Sequence, residues 1–249
     1  MCELLTVAWP RPEPFARILP WALALERYGI AGFGWGVAWQ ADGTVQRHRD
    51  SGRLVDDLTG QAHLAGVRSQ HFLVHLRRPS QLSTTALADT QPFLADGGAF
   101  AFAHNGRLDG AEAWRERIAA QLHGRADSEV GFRLFEALLA EGMTAAAALP
   151  AVHQRLGGTA NLAVLPAVGP PLVYAGAPGN AVRRFRLEGA VAASTSLHSA
   201  DQALFTLCFP GATDHRQVAP GTVGVTEAGP GPAAPTASMG APGGAAPGG

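Results

Sequence analysis

The chain predicts an α+β fold of two layered sheets flanked by helices, and three observations carry that prediction. Short β-like runs open the sequence, helical patterns fill its middle, and a second group of β-like runs follows. No phosphate-binding glycine loop joins a strand to a helix, which argues against a parallel doubly wound sheet. The 249 residues are 47% hydrophobic and 16% charged, a globular balance that can bury a substantial core.

In chain order, "ELLTVAW" (3–9) reads as a strand and "PWALALERYG" (20–29) as a helix, with Pro20 in its first turn and Gly29 at its stop. "GFGWGVAWQ" (32–40), "HFLVHLR" (71–77) and "AFAFAHN" (99–105) are strand-like runs bounded by Gly, Pro and Asp. In 110–123, Trp114, Ile118 and Leu122 recur at helical spacing. In 127–141, Val130, Leu134, Phe135 and Leu138 do the same, with Asp127 or Ser128 as the expected N-cap. A third helix over 144–156 is expected to break at Pro150. "TANLAVLPA", "PPLVYAG", "AVRRFRL", "AVAAST" and "GTVGVTE" form the second strand group. The stretch 227–249 is rich in Gly, Pro and Ala and lacks aromatic or large aliphatic residues, so it reads as a disordered tail after a domain spanning 1–226.

Composition narrows the function classes. A net charge of −1 lacks the basic excess expected for nucleic acid or an anionic membrane surface. No apolar run approaches the ~20 residues that span a bilayer. "MCELLTVAWPRPEP" has neither the charged start nor the long apolar core of a signal peptide. The two cysteines, Cys2 and Cys208, cannot make a disulfide framework or a zinc-spaced pair, so the chain reads as cytoplasmic with reduced thiols.

Four features could carry chemistry, and each has a plainer reading. Removal of Met1 is expected before a small residue, and would leave Cys2 with thiol and α-amine on one residue. The amine, with a reference pKa of ~7.7–8.0, could take the thiol's proton; otherwise Cys2 is a small packed side chain. In "VHLRRPS" (74–80), Arg77 shares a strand face with His75 and offers a guanidinium fork for a carboxylate, or is a solvated strand end. Asp127 could cap a helix or bind a substrate ammonium. In "FAHNGRLDG" (102–110), Asn105 and Gly106 are a common turn pair. They also supply a side-chain amide and an unshielded backbone N–H, the donor types that stabilise an oxyanion.

Taken together and in order, these residues resemble the class II glutamine amidotransferase domain of the N-terminal-nucleophile hydrolase superfamily. The nearest likeness is to its stand-alone branch beginning "MCEL". The motifs are Met1-Cys2-Glu3-Leu4, Gly34-Trp35-Gly36, His75-Leu76-Arg77, Thr90-Gln91-Pro92-Phe93, Ala103-His104-Asn105-Gly106 and Asp127-Ser128-Glu129. The resemblance implies a four-layer αββα sandwich of two antiparallel sheets with Cys2 opening the first strand. It implies that Cys2 attacks the γ-carboxamide of glutamine through a γ-glutamyl thioester, releasing ammonia and then glutamate. It further implies that Asn105 and Gly106 form the oxyanion hole, that Arg77 holds the α-carboxylate and Asp127 the α-ammonium, and that no metal or organic cofactor is needed. Phe33 stands where the branch has Asp, and "RRPSQL" lacks the Thr-His pair that follows the Arg in sugar-phosphate amidotransferases.

The implied partners are glutamine or another γ-glutamyl small molecule, and a separate synthetase polypeptide where ammonia is passed on. Neither nucleic acid nor a membrane is expected. A silent metabolite-binding or scaffolding domain is the reading from a different class. Among the remaining features, His71 and His75 share a strand face but lack a third metal ligand. "RRFR" (183–186) reads as an exposed strand or turn, and Cys208 as a packed thiol. No G-x-S-x-G elbow or Walker loop supports a serine hydrolase or an ATP-dependent synthetase.

Overall fold

A computed structural model describes residues 2–29, 31–79, 82–199 and 201–229. The expected removal of Met1 and residues 230–249 of the expected tail lie outside the described residues.

The first sheet has seven antiparallel strands in the order β11-β9-β10-β1-β4-β2-β3. In chain order these are β1 (Glu3–Pro14), β2 (Trp35–Ala41), β3 (Thr44–Asp50), β4 (Arg68–Leu76), β9 (Val182–Leu187), β10 (Ala190–Thr195) and β11 (Thr213–Gln217). The second sheet, β12-β8-β7-β6-β5, is built from β5 (Phe93–Leu94), β6 (Phe100–Arg107), β7 (Thr159–Pro166), β8 (Leu172–Gly176) and β12 (Val223–Val225). Helices α1 (Leu19–Tyr28), α2 (Leu58–Ala65) and α6 (Gln202–Cys208) belong with the first sheet, and α3 (Ala111–Ile118), α4 (Asp127–Ala140) and α5 (Ala145–Leu156) with the second.

Period-2 alternation along the strands sorts the side chains into layers. On β1, Leu5, Val7 and Trp9 pack with Trp21 and Leu25 of α1 and Phe205 of α6, while Leu4 points to the other sheet. On β6, Phe100 and Phe102 pack against Phe132 and Phe135 of α4, with the Phe100 and Phe135 rings edge to face at 5.1 Å. Ala101 and Ala103, which alternate with them in sequence, join Leu4, Ala38, Leu73, Ala163, Ala175 and Ala193 in the layer between the sheets. The result is the αββα sandwich of two antiparallel sheets that the resemblance implied.

Several local expectations need correction. Asp127 and Ser128 do not cap α4. Ala126 occupies the cap position with extended backbone, and Asp127 is the first helical residue, its Oδ2 accepting the Leu108 N–H at 2.8 Å. Helix α5 does not break at Pro150 but runs through it. The Thr144 side chain caps its start by accepting the Ala147 N–H, and Ala148, Leu149, Val152 and Leu156 bury one face, so tertiary packing outweighs the hydrogen bond lost at the proline. The predicted helix over 110–123 ends at Ile118, followed by a short 3-10 turn at Ala119–Gln121. Strand β3, "TVQRHRD", carries too few apolar residues to read as a strand, yet it pairs along its whole length with β2. "RRFR" does lie in a strand, β9, and Cys208 is a buried thiol at the end of α6.

Candidate active site

Residue Cys2 immediately precedes β1, the central strand of the seven-stranded sheet, and as a whole residue is partly exposed. Strand β4 pairs antiparallel with β1 through Glu3 opposite Leu76, so β4 ends beside the cysteine and delivers Arg77 and Arg78 there. The Arg78 N–H donates to the Cys2 Sγ at 3.4 Å. Burial pushes the Cys2 thiol up from its ordinary value, and the Arg78 N–H and the Arg77 charge oppose that push only in part. A thiol in this setting needs a base to become a nucleophile.

Arg77 is 3% exposed and its guanidinium is only partly engaged. One Nη donates to the Thr84 Oγ1 at 2.9 Å, while Nη1 is buried with no hydrogen-bond partner among the described residues. Desolvation lowers its pKa, and Cys2, Asp89 and Asp127 act against that. An unpaired buried guanidinium N–H is costly, and a ligand carboxylate would satisfy it.

Asn105 and Gly106 come from the end of β6, in register with Asn161 and Ala160 of β7. Gly106 has φ +130, and a Cβ there would overlap the Thr159 carbonyl oxygen, so no other residue fits this backbone. Asn105 is fully buried; its Oδ1 accepts from the Asn180 Nδ2 at 3.3 Å, and its own Nδ2 has no partner among the described residues. Asp127, at the start of α4, has a carboxylate 32% exposed with Oδ1 4.0 Å from the His104 Nδ1.

Cys2, Arg77, Gly106 and Asp127 line one cavity of about 440 Å³, together with Arg78, Thr84, Gln91 and Ser128. Asn105 does not line it but adjoins Gly106, which does. Thus four of the five residues singled out in the sequence share a cavity and the fifth sits directly behind it. His71 is not part of this arrangement: its Nδ1 lies 2.7 Å from the Gln40 Oε1.

Sequence reasoning missed the role of Gln91. Its carboxamide accepts the His104 N–H at 2.6 Å and donates to the His104 carbonyl at 3.2 Å, so it pairs with β6 as a strand backbone would. The same Nε2 reaches the Ser128 Oγ at 3.0 Å, tying the end of β6 to the first turn of α4. The Arg49 Nη1 donates to the Thr90 carbonyl and Arg47 to the Pro92 carbonyl, which explains the two half-buried arginines on β3. The Thr-Gln-Pro-Phe motif was the available signal, since a polar residue between strand-like runs had no other purpose.

Glu3 follows the cysteine and is 1% exposed. Burial raises its pKa to about 7, opposed by the Thr195 hydroxyl, which donates to its Oε2. A carboxyl raised on folding stabilises the fold fully below its unfolded value of ~4.3 and loses that contribution as pH rises through the folded value. The difference in melting temperature between the native chain and Glu3→Gln should therefore change across pH 4.5 to 8. The native protein loses a few kcal/mol relative to the variant at the upper end; parallel curves would contradict the shift.

Two antiparallel sheets between helical layers, with a cysteine opening the central strand, define a fold of the N-terminal-nucleophile hydrolase type. Residues 1–164 match the family described as glutamine amidotransferases class-II, and the chain belongs to that family. No curated protein matches the chain in sequence. Among solved structures, it is similar to glutamine phosphoribosylpyrophosphate amidotransferase from B. subtilis, with a TM-score of 0.70 at 18% identity over 90% of this chain and 47% of the other. It therefore spans about half the length of that enzyme. A glutamine aminotransferase class-II domain protein from Silicibacter pomeroyi matches with a TM-score of 0.58 at 20% identity, over 89% of this chain and 93% of the other. A predicted glutamine amidotransferase from Pseudomonas aeruginosa matches with a TM-score of 0.51 at 15% identity, over 90% and 97%. At such identities the likeness is one of fold. No helix among the described residues is long and apolar enough to cross a membrane.

Proposed function

We propose that the chain hydrolyses the γ-carboxamide of glutamine, or of a closely related γ-glutamyl compound, with Cys2 as nucleophile. The observation that carries this reading is the cavity shared by Cys2, Arg77, Gly106 and Asp127. Removal of Met1 makes the Cys2 α-amine the base that the raised thiol needs. The thiolate attacks the amide carbon, and negative charge collects on the carbonyl oxygen. The free Asn105 Nδ2 and the Gly106 N–H meet that charge. The amine returns its proton to the departing nitrogen, ammonia leaves, and water hydrolyses the γ-glutamyl thioester to give glutamate. The unpaired Arg77 Nη1 receives the α-carboxylate, and Asp127 the α-ammonium. Ammonia then passes to a separate synthetase subunit or is simply released.

A glutamine-mimicking electrophile tests the nucleophile directly. Peptide mapping should place a single adduct on Cys2. Cys208, 1% exposed and pushed up to about 12 by burial, should stay unmodified. An adduct on Cys208, or none, overturns the assignment.

Arg77→Lys separates binding from chemistry. Lysine keeps the charge but cannot present two parallel N–H groups, so KM for glutamine should rise about 10- to 100-fold with kcat much less affected. Steady-state glutamate release reads both constants, and an unchanged KM would remove Arg77 from the carboxylate site.

A further inference from the structure

Three buried asparagines form a network behind the cavity whose hydrogen bonds fix every amide orientation. The Asn161 Oδ1 accepts the N–H groups of Gly176 and Ala177, each at 3.1 Å, so its Nδ2 is the end that donates to the Asn180 carbonyl, at 2.7 Å. The Asn180 Oδ1 accepts the N–H groups of Ser196 at 2.8 Å and His198 at 3.0 Å. Backbone N–H groups can only donate, so the other end of Asn180 must be its NH2. That NH2 faces two acceptors, the Asn105 Oδ1 at 3.3 Å and the His198 Nε2 at 2.8 Å, and the Glu3 carboxyl lies beside it. Asn105 is thereby obliged to turn its oxygen to Asn180, and its Nδ2 is the donor in this network left without a partner.

The turn that supplies these contacts is strained. Leu197 and His198 both adopt left-handed backbone, with φ of +59 and +51, although neither is glycine. Strain of this kind persists only where the surroundings hold it. Here the holding group is Asn180, which pins the turn on both sides through Ser196 and His198. The His198 ring must be neutral to accept from Asn180, and burial lowers its pKa to about 4, consistent with that role.

We propose that Asn180 is a positioning residue for catalysis: by anchoring its own oxygen on the 196–198 turn, it fixes the Asn105 amide so that Nδ2 remains the free donor for the oxyanion. This inference rests on the hydrolase reading above. It goes further by naming what keeps Asn105 from rotating its amide by half a turn, which would replace a donor with an oxygen facing developing negative charge.

Asn180→Asp and Asn180→Ala test the role, with glutamate release as the assay and Asn105→Ala as the reference. The aspartate keeps an oxygen for the turn but offers Asn105 an acceptor, which draws the Asn105 Nδ2 toward it. Both variants should lower kcat about 10- to 100-fold with KM within about 3-fold. Each double variant with Asn105→Ala should be no slower than Asn105→Ala alone, because the donor being positioned is already gone. A purely structural role would lower melting temperature and multiply with Asn105→Ala. Full kcat in Asn180→Asp, or multiplying effects, overturns the inference while leaving Asn105 in place. Full kcat in Asn105→Ala overturns the oxyanion assignment itself and the positioning role with it. Should Asn180→Ala fail to fold, the aspartate carries the test.

Discussion

Replacing Cys2 with alanine should abolish amide hydrolysis, by at least about 10⁴-fold, with little change in stability. The large effect follows from losing the atom that forms the covalent bond, for which neighbouring donors cannot substitute. The small structural effect follows from position. Cys2 precedes β1, the residue is partly exposed, and among the described residues its thiol makes hydrogen bonds with the Arg78 peptide alone. Glutamate release and a thermal melt check the two halves separately. Substantial hydrolysis in a well-folded Cys2→Ala protein would remove the nucleophile and the mechanism together. Serine is the informative companion: its hydroxyl is far less acidic than a thiol, so Cys2→Ser should be strongly impaired even with the α-amine in place.

Gly106→Ala should be the most damaging single-methyl addition near the site, costing about 3–5 kcal/mol or preventing folding. Two penalties coincide at this residue. Its φ of +130 belongs to a region that residues with a Cβ rarely adopt, and the new methyl would collide with the Thr159 carbonyl on the adjacent strand. Strand β7 cannot retreat easily, because its other edge is paired to β8 and its face, through Ala160, Leu162 and Val164, is packed in the core formed with α4 and α5. Any protein that does fold should also lose most of the activity proposed above, since relief of the clash moves Gly106 from its place in the cavity lining. Chemical denaturation and activity measured together check this, and a stable, active alanine variant would show that β6 and β7 are not so closely apposed.

The contrast between these residues explains which parts of the molecule the sequence discloses. Strands β1, β4, β6 and β10 announce themselves because both faces are buried, and a run such as "AVAAST" has no polar residue out of place. Strand β3 does not, because Arg47 and Arg49 spend their guanidinium groups on backbone carbonyls of the Thr90–Pro92 segment, a purpose visible only in three dimensions. Strand β11 is exposed throughout and so carries no burial pattern. The candidate site residues stood out in the sequence because the chain has only two cysteines, and Cys2, Arg77, Asn105-Gly106 and Asp127 each sit in a short motif at the edge of a strand-like or helical run. Their supports did not. Gln91 and Asn180 act on residues far from them in sequence, and "GN" at 179–180 looks like any turn until its partners are known. Asp127 was misread as a cap because helix-start statistics describe an average carboxylate, and this one is committed to the Leu108 N–H.

The layer between the sheets has a consequence of its own. Cys2 and Arg77 ride on one sheet, Gly106 on the other, and much of what separates the two is alanine: Ala38, Ala101, Ala103, Ala163, Ala175 and Ala193. Such short side chains act as a thin spacer that sets the gap between Cys2 and Gly106. A bulkier residue anywhere in that seam would prop the two sheets apart, so distant apolar substitutions should disturb the proposed site without touching Cys2, Arg77 or Gly106.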